Sequence, residues 1–199
     1  DVQSVGSLKS KQNVMLRPEV AGRVVSLGFT DGDRVRAGQV LVQLDDALQR
    51  AEVKQAQAQV AIAAANFKRN QELVAENFVS KRVLDESDAS LQVAKAQLEL
   101  SCARWLRTTV VAPFNGTLGL RNVNLGDYVK DGADLVGLED TSSMLVDFKL
   151  PEKFANKVKP GLKVQVLLDS FPNRQFAATV LAIDPAIDVN GRALSVRAV

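Results

Sequence analysis

The chain has 199 residues, a formal net charge of +2 and 46% hydrophobic residues, the composition of a folded chain rather than a disordered one. The balanced charge, with no Lys/Arg cluster, gives no electrostatic reason to expect nucleic acid as a partner, and no apolar run approaches the ~18 residues of a membrane-spanning helix. Histidine is absent and cysteine occurs once, at Cys102, so the commonest general base and metal ligand is missing and no Cys–His nucleophile or internal disulfide can be assembled. No phosphate-cradling glycine loop occurs, and Met15 and Met144 stand alone rather than clustered as soft metal ligands would be, so both read as packing residues. The expectation is a chain that is not an enzyme and that carries no cofactor and no metal site. Its start at Asp1, without an initiator methionine, reads as a mature or trimmed product whose targeting segment or anchor lies outside it.

In chain order, residues 2–8 can add a strand to a later sheet. Residues 20–45 (VAGRVVSLGFTDGDRVRAGQVLVQLD) then form the first half of an internal repeat. Residues 114–139 (FNGTLGLRNVNLGDYVKDGADLVGLE) are its second half. Gly22 is matched by Gly116, 94 positions on, and the same offset pairs Gly32 with Gly126, Asp33 with Asp127, Val35 with Val129 and Gly38 with Gly132. It continues through Leu41 with Leu135, Leu44 with Leu138 and Asp45 with Glu139, without a gap. Each copy has short apolar runs of strand character separated by turns in which glycine takes positive φ without steric penalty. Two such halves make a small β-sandwich with pseudo-twofold symmetry, in which Asp33 and Asp127 serve the turns rather than catalysis.

The segment between the halves has a different texture. From Asp46 to about Glu76 there is no Gly or Pro, and helix formers dominate. Val53, Ala56, Val60, Ala63, Phe67, Asn70 and Val74 recur by threes and fours as a heptad seam. A second seam runs from Ser80 to about Arg107 through Leu84, Ser87, Leu91, Ala94, Leu98, Ser101 and Trp105. The short Asn77-Phe78-Val79 link makes the pair an antiparallel coiled-coil hairpin. Cys102 lies beside the second seam as a small buried hydrophobe. After the second half-repeat, Met144–Leu150, Lys163–Leu168, Phe176–Ile183 and Ala193–Val199 read as strands of a small β-barrel or sheet. A short helix is expected to open at Pro151-Glu152-Lys153, with proline at its first position, and a turn at Asp188–Gly191.

These segments resemble a known family. The split halves resemble the biotinyl/lipoyl domain, with the turn that carries the modified lysine replaced by the hairpin. A lipoyl-like domain interrupted there, then followed by a β-barrel, resembles the periplasmic adaptors, or membrane fusion proteins, of the HlyD/AcrA type. Pro18–Val24 (PEVAGRV), Ala112–Gly119 (APFNGTLG) and Leu150–Val166 carry the likeness. The resulting expectation is a mostly β chain with an α-helical hairpin: a split biotinyl/lipoyl-like β-sandwich, interrupted by the coiled-coil hairpin and followed by a partly truncated β-barrel. Its parts are 1–13, an N-terminal strand joining the barrel; 14–45, the first half of the lipoyl-like domain; 46–107, the hairpin; 108–140, the second half; and 141–199, the barrel.

The resemblance implies a periplasmic adaptor subunit of a tripartite efflux pump, linking an inner-membrane RND transporter to a TolC-type outer-membrane channel for export of drugs or other small amphiphiles. It implies self-association into a ring, commonly of six, and location in the periplasm of a Gram-negative bacterium, anchored to the inner membrane by a group outside this chain. The family's tip pattern is Arg, Leu four residues on, and Ser seven after that, matched here by Arg69, Leu73 and Ser80. The resemblance makes these the channel-docking residues. Read without it, Arg69 is a solvated helix charge, Leu73 flanks the seam and Ser80 caps the second helix. Three other readings stay open at this point: an adaptor of an ABC-type exporter or type I secretion system, a lipoyl/biotinyl-type carrier domain, and a purely structural coiled-coil scaffold.

Overall fold

The computed structural model describes residues 3–151, 154, 157–168, 170–184 and 193–199. In chain order the elements are β1 (Gly6–Leu16), β2 (Gly22–Leu27), β3 (Arg34–Val35), β4 (Val40–Leu44), α1 (Ala47–Ala75) and α2 (Lys81–Leu106). There follow β5 (Thr109–Val111), β6 (Gly116–Arg121), β7 (Tyr128–Val129), β8 (Val136–Pro151), β9 (Lys163–Leu168), β10 (Phe171–Ile183) and β11 (Ala193–Ala198). The chain is mostly β with two long helices, as the sequence indicates, and no described helix is long and apolar enough to cross a membrane.

The repeat is reproduced at the level of single hydrogen bonds. β2 pairs with β4 as β6 pairs with β8, Val24 facing Leu44 and Leu118 facing Leu138. The shortest strands are exchanged between halves: β2 of the first half pairs with β7 of the second, and β6 of the second with β3 of the first. Val24 accordingly donates its N–H to the Asp127 carbonyl at 2.8 Å, and Leu118 donates to Asp33 at 2.9 Å. Gly32 and Gly126 have φ of 81° and 90°, and Gly38 and Gly132 have 82° and 73°, the left-handed region that a residue with a Cβ enters only with strain. Asp33 and Asp127 do equivalent work beside them, each carboxylate accepting a backbone N–H three residues earlier, from Thr30 at 2.7 Å and Asn124 at 2.8 Å. The Thr30 hydrogen bonds hold the Asp33 carboxyl below its ordinary range.

The core is also built of repeat-related pairs. Leu16 and Val110, Val24 and Leu118, Phe29 and Val123, and Val35 and Val129 are all buried together. So are Leu41 and Leu135, Val42 and Val136, and Leu44 and Leu138, while Ala112 is matched by the buried Pro18. Neither half closes a core alone, because each lends a strand to the other's sheet.

The helices leave the sandwich where β4 ends and return where β5 begins. Ala63, Leu91 and Ala94 are buried between them, flanked by Val60, Ala64 and Phe67, so small side chains let the backbones approach closely. Val53, Ala56 and Ser101 are buried toward the base, and the half-buried Cys102 is a free thiol. Trp105, expected on the seam, is 37% exposed and instead donates its indole N–H to Asp46 at 2.7 Å. The seam ends there against the sandwich, and an indole requires a polar partner for its N–H. Asp46 also holds Arg50 at 3.0 Å. Leu44 donates to the Thr108 carbonyl at 2.8 Å, and Thr109 donates its hydroxyl to Gln43 at 2.7 Å. This polar collar ties both feet of the hairpin to β4.

β8 runs unbroken for 16 residues, longer than the expected Met144–Leu150 because β1 pairs with it from Leu16↔Val136 to Gly6↔Phe148. The strand expected at residues 2–8 is thus displaced to Gly6–Leu16. Beyond the sandwich, β8 continues into a sheet ordered β1-β8-β11-β10-β9, over a smaller core of Leu150, Val180 and Val196. β10 starts at Phe171 rather than Phe176, since β9 pairs with that extension. Met15 and Met144, expected in packing, lie on the β1/β8 ribbon at 40% and 41% exposed. Pro151 is the last residue of β8 rather than the first of a helix, and Phe154 and Lys157 beyond it have 3-10 conformation; Glu152, Lys153 and the turn expected at Asp188–Gly191 lie outside the described residues.

On β8, Asp147 lies between Ser7 of β1 and Arg197 of β11. Arg197 binds it through two bonds, 2.6 and 2.8 Å, and Lys9 approaches to 3.1 Å. The Arg197 guanidinium, with Lys9, lowers the Asp147 carboxyl from 3.8 to about 2 despite partial burial. A depressed carboxylate pKa stabilises the fold above the unfolded value, and that stabilisation is lost as pH falls through the folded one. Asp147→Asn is therefore expected to lower stability by about 1 kcal/mol at pH 7, a difference that fades between about pH 4 and pH 2 in thermal melts across that range. The repeat gives a second test. A Cβ on Gly116 would meet the Glu139 carbonyl at 2.5 Å, whereas one on Gly22 first meets the Leu44 Cβ at 3.3 Å. Gly116→Ala is expected to cost about 1–3 kcal/mol in denaturant titrations, and Gly22→Ala less.

Candidate docking site at the hairpin tip

The tip is a five-residue connection, 76–80, whose geometry follows from how α1 ends. Asn77 has φ 61°, the left-handed conformation that asparagine tolerates better than most side chains. It lets the Phe78 N–H reach the Leu73 carbonyl at 2.9 Å and the Asn77 N–H reach that of Val74 at 3.0 Å. Together these form the Schellman arrangement, which satisfies carbonyls otherwise left open at a helix end. The chain then turns directly into α2.

Arg69 projects from the last turns of α1, exposed, and forms no ion pair among the described residues. Its guanidinium is a fork of donors free to engage carbonyls or carboxylates. Leu73 is half-buried, one helical turn nearer the tip. Ser80 occupies the N-cap position of α2 with extended φ/ψ of −75° and 155°, yet its hydroxyl makes no capping hydrogen bond; its carbonyl accepts from Val83 at 3.0 Å. The hydroxyl is exposed and unused by the helix it begins. The structure thus brings Arg69, Leu73 and Ser80 to one end of the hairpin.

Two features of this region escape the motif. Phe78 is 72% exposed at the apex, and the signal was only an aromatic residue inside a short link. Below the tip, a groove of about 350 Å³ between the helices is lined by Gln59, Ile62, Asn66, Asn70, Ser87 and the acidic Glu86, among others. Among the described residues no cluster of three or more His, Cys, Asp or Glu side chains is placed to hold a metal.

These are the parts of a hairpin-bearing barrel-sandwich protein. Residues 12–138 match the RND MFP barrel-sandwich hybrid domain, and residues 145–199 match the CusB-like β-barrel domain. The chain belongs to the RND membrane fusion protein family. It is 34% identical over 99% of its length to an uncharacterised protein of Haemophilus influenzae, covering 52% of that protein. It is 30% identical over 98% of its length to multidrug resistance protein MdtA of Klebsiella pneumoniae, again covering 52%. The chain therefore spans about half the length of the curated relatives it matches. Its fold superposes with a TM-score of 0.83, at 25% identity, on a MacA–MexA chimera containing the Pseudomonas aeruginosa MexA α-hairpin domain, covering 96% of this chain and 71% of that one.

The conformation of Asn77 sets the tip. Asn77→Gly is expected to leave the tip intact, whereas the β-branched Asn77→Val, strained at positive φ, costs about 1–2 kcal/mol locally. Amide exchange across residues 73–80 should accelerate in the valine variant alone.

Proposed function

We propose that this chain belongs to a periplasmic adaptor subunit in a tripartite efflux pump. It joins an inner-membrane RND transporter to a TolC-type outer-membrane channel for export of drugs or other small amphiphiles. The observation that carries the reading is the connectivity: a helical hairpin leaves the sandwich at the paired β4 and β5, and a barrel sheet leaves it at the repeat-related pair β8 and β1. Near the free end of the hairpin the Arg69 guanidinium and the Ser80 hydroxyl are exposed and unengaged, and Leu73 is half-buried. The name of the similar MdtA, a multidrug resistance protein, supports the same assignment.

In this reading residues 46–107 are the coiled-coil arm, 14–45 and 108–140 the lipoyl-like body, and 141–199 with strand 1–13 the barrel that faces the transporter. Copies assemble as a ring, commonly of six, in the periplasm of a Gram-negative bacterium, held at the inner membrane. The work is mechanical: the subunit spans a distance and seals a conduit, and catalyses nothing. Arg69 supplies donors to carbonyls or carboxylates of the channel, Leu73 an apolar contact and Ser80 a hydroxyl.

A photoreactive residue at Val74 of the full-length protein tests this in cells. Adducts to an outer-membrane channel are expected, and the co-captured inner-membrane protein separates an RND motor from an ABC one. Arg69→Asp should reduce both those adducts and drug resistance at normal protein level and unchanged melting temperature. Adducts only to further copies of itself, or resistance unaffected by Arg69→Asp, would defeat the assignment.

A further inference from the structure

We propose that Phe78, outside the Arg–Leu–Ser pattern, is the apolar anchor of the tip and inserts between helices of the channel. The inference rests on the adaptor reading and deepens it. The connection is closed by two backbone hydrogen bonds and by the left-handed Asn77, none of which needs an aromatic side chain. In a Schellman turn the residue after the left-handed one usually packs back on the last helical turn. Here that residue is Phe78, and its 72% exposure leaves most of the ring in water. Glu76, Asn77 and Ser80 around it are exposed and polar, and Val79 is half-buried, so Phe78 is the one large apolar group presented at the apex.

The surroundings indicate the kind of partner. A rigid aromatic ring loses little conformational freedom on binding, and such residues dominate interfaces when they fill a desolvated pocket. The unused Ser80 hydroxyl stands at the same apex and the unpaired Arg69 guanidinium about two helical turns below it, and both suit polar backbone and side-chain groups where helices turn. The combination fits an apolar crevice between two helices whose rim offers carbonyls or carboxylates. A flat, uniformly polar surface would leave the ring exposed, and a lipid surface would leave the Ser80 hydroxyl without a defined partner.

The test uses the full-length protein in cells, with the photoreactive group at Val74 as reporter and the channel adduct as readout. Phe78→Ser should reduce that adduct by about tenfold or more, the scale of an interface anchor, at unchanged protein level. Phe78→Leu should retain it within about threefold. Full adduct yield in Phe78→Ser, with Arg69→Asp still abolishing it, overturns this proposal and leaves the adaptor reading standing. No channel adduct from the unsubstituted tip removes both. A loss in Phe78→Ser accompanied by faster amide exchange across residues 76–80 assigns the ring to holding the turn, and also overturns the proposal.

Discussion

The exchange of short strands between the two halves of the sandwich is the constraint on which the rest of the molecule depends. Because β7 completes the sheet of β2, and β3 completes that of β6, neither half can bury Val24, Leu44, Leu118 or Leu138 without the other. The helical insert therefore cannot hang from an independently folded half. Its two feet, at Leu44 and Thr109, are adjacent because β4 and β5 pair, and that adjacency makes a closed hairpin possible. The same symmetry gives a second exit, where β1 and β8 leave toward the barrel sheet. One duplicated unit thereby carries two extensions, the hairpin and the barrel sheet.

The arm and its base use different physics. Along the seam, alanine and leucine give close but thin packing, with little apolar area per turn, so the pair relies on length and on proximity to its own partner strand of chain. At the base the connection is polar: Trp105 to Asp46, Thr109 to Gln43, Leu44 to Thr108. Directional bonds of this kind fix the angle at which the arm leaves the sandwich, which nondirectional apolar contact does not. At the far end, the turn is closed by backbone hydrogen bonds, and the Phe78 and Ser80 side chains are exposed.

The duplicate halves keep an apolar residue at each paired core position, and they diverge in polarity at the surface. Beside the β2–β7 pair the exposed residues are Val25, Leu125 and Tyr128. Their counterparts beside the β6–β3 pair are Gly119, Asp31 and Arg34, with Asp31 accepting the Arg121 N–H at 3.1 Å. Both arrangements are compatible with the same backbone, so these positions record what the surface meets rather than what the fold requires.

Much of this was legible from residues alone, because the determinants are local or strictly periodic. Glycines at fixed offset mark positive-φ turns, and the matched spacing carried the duplication and the strand-and-turn texture of each half. The absence of Gly and Pro from residues 46–76 and the seam of threes and fours gave helices that end within a residue or two of those observed. The Arg69–Leu73–Ser80 spacing placed all three near the turn. Other features depend on partners remote in sequence. Which half receives β3 or β7 is decided by sheet closure, and the length of β8 is decided by β1, more than a hundred residues earlier. Trp105 left the seam because the Asp46 carboxylate was there to accept a hydrogen bond from its indole N–H. Ser80 has the residue type of a cap but makes no capping bond, and Phe78 is apolar yet exposed. Sequence reports what a side chain prefers, whereas burial and hydrogen bonding are settled by the atoms that tertiary packing brings beside it.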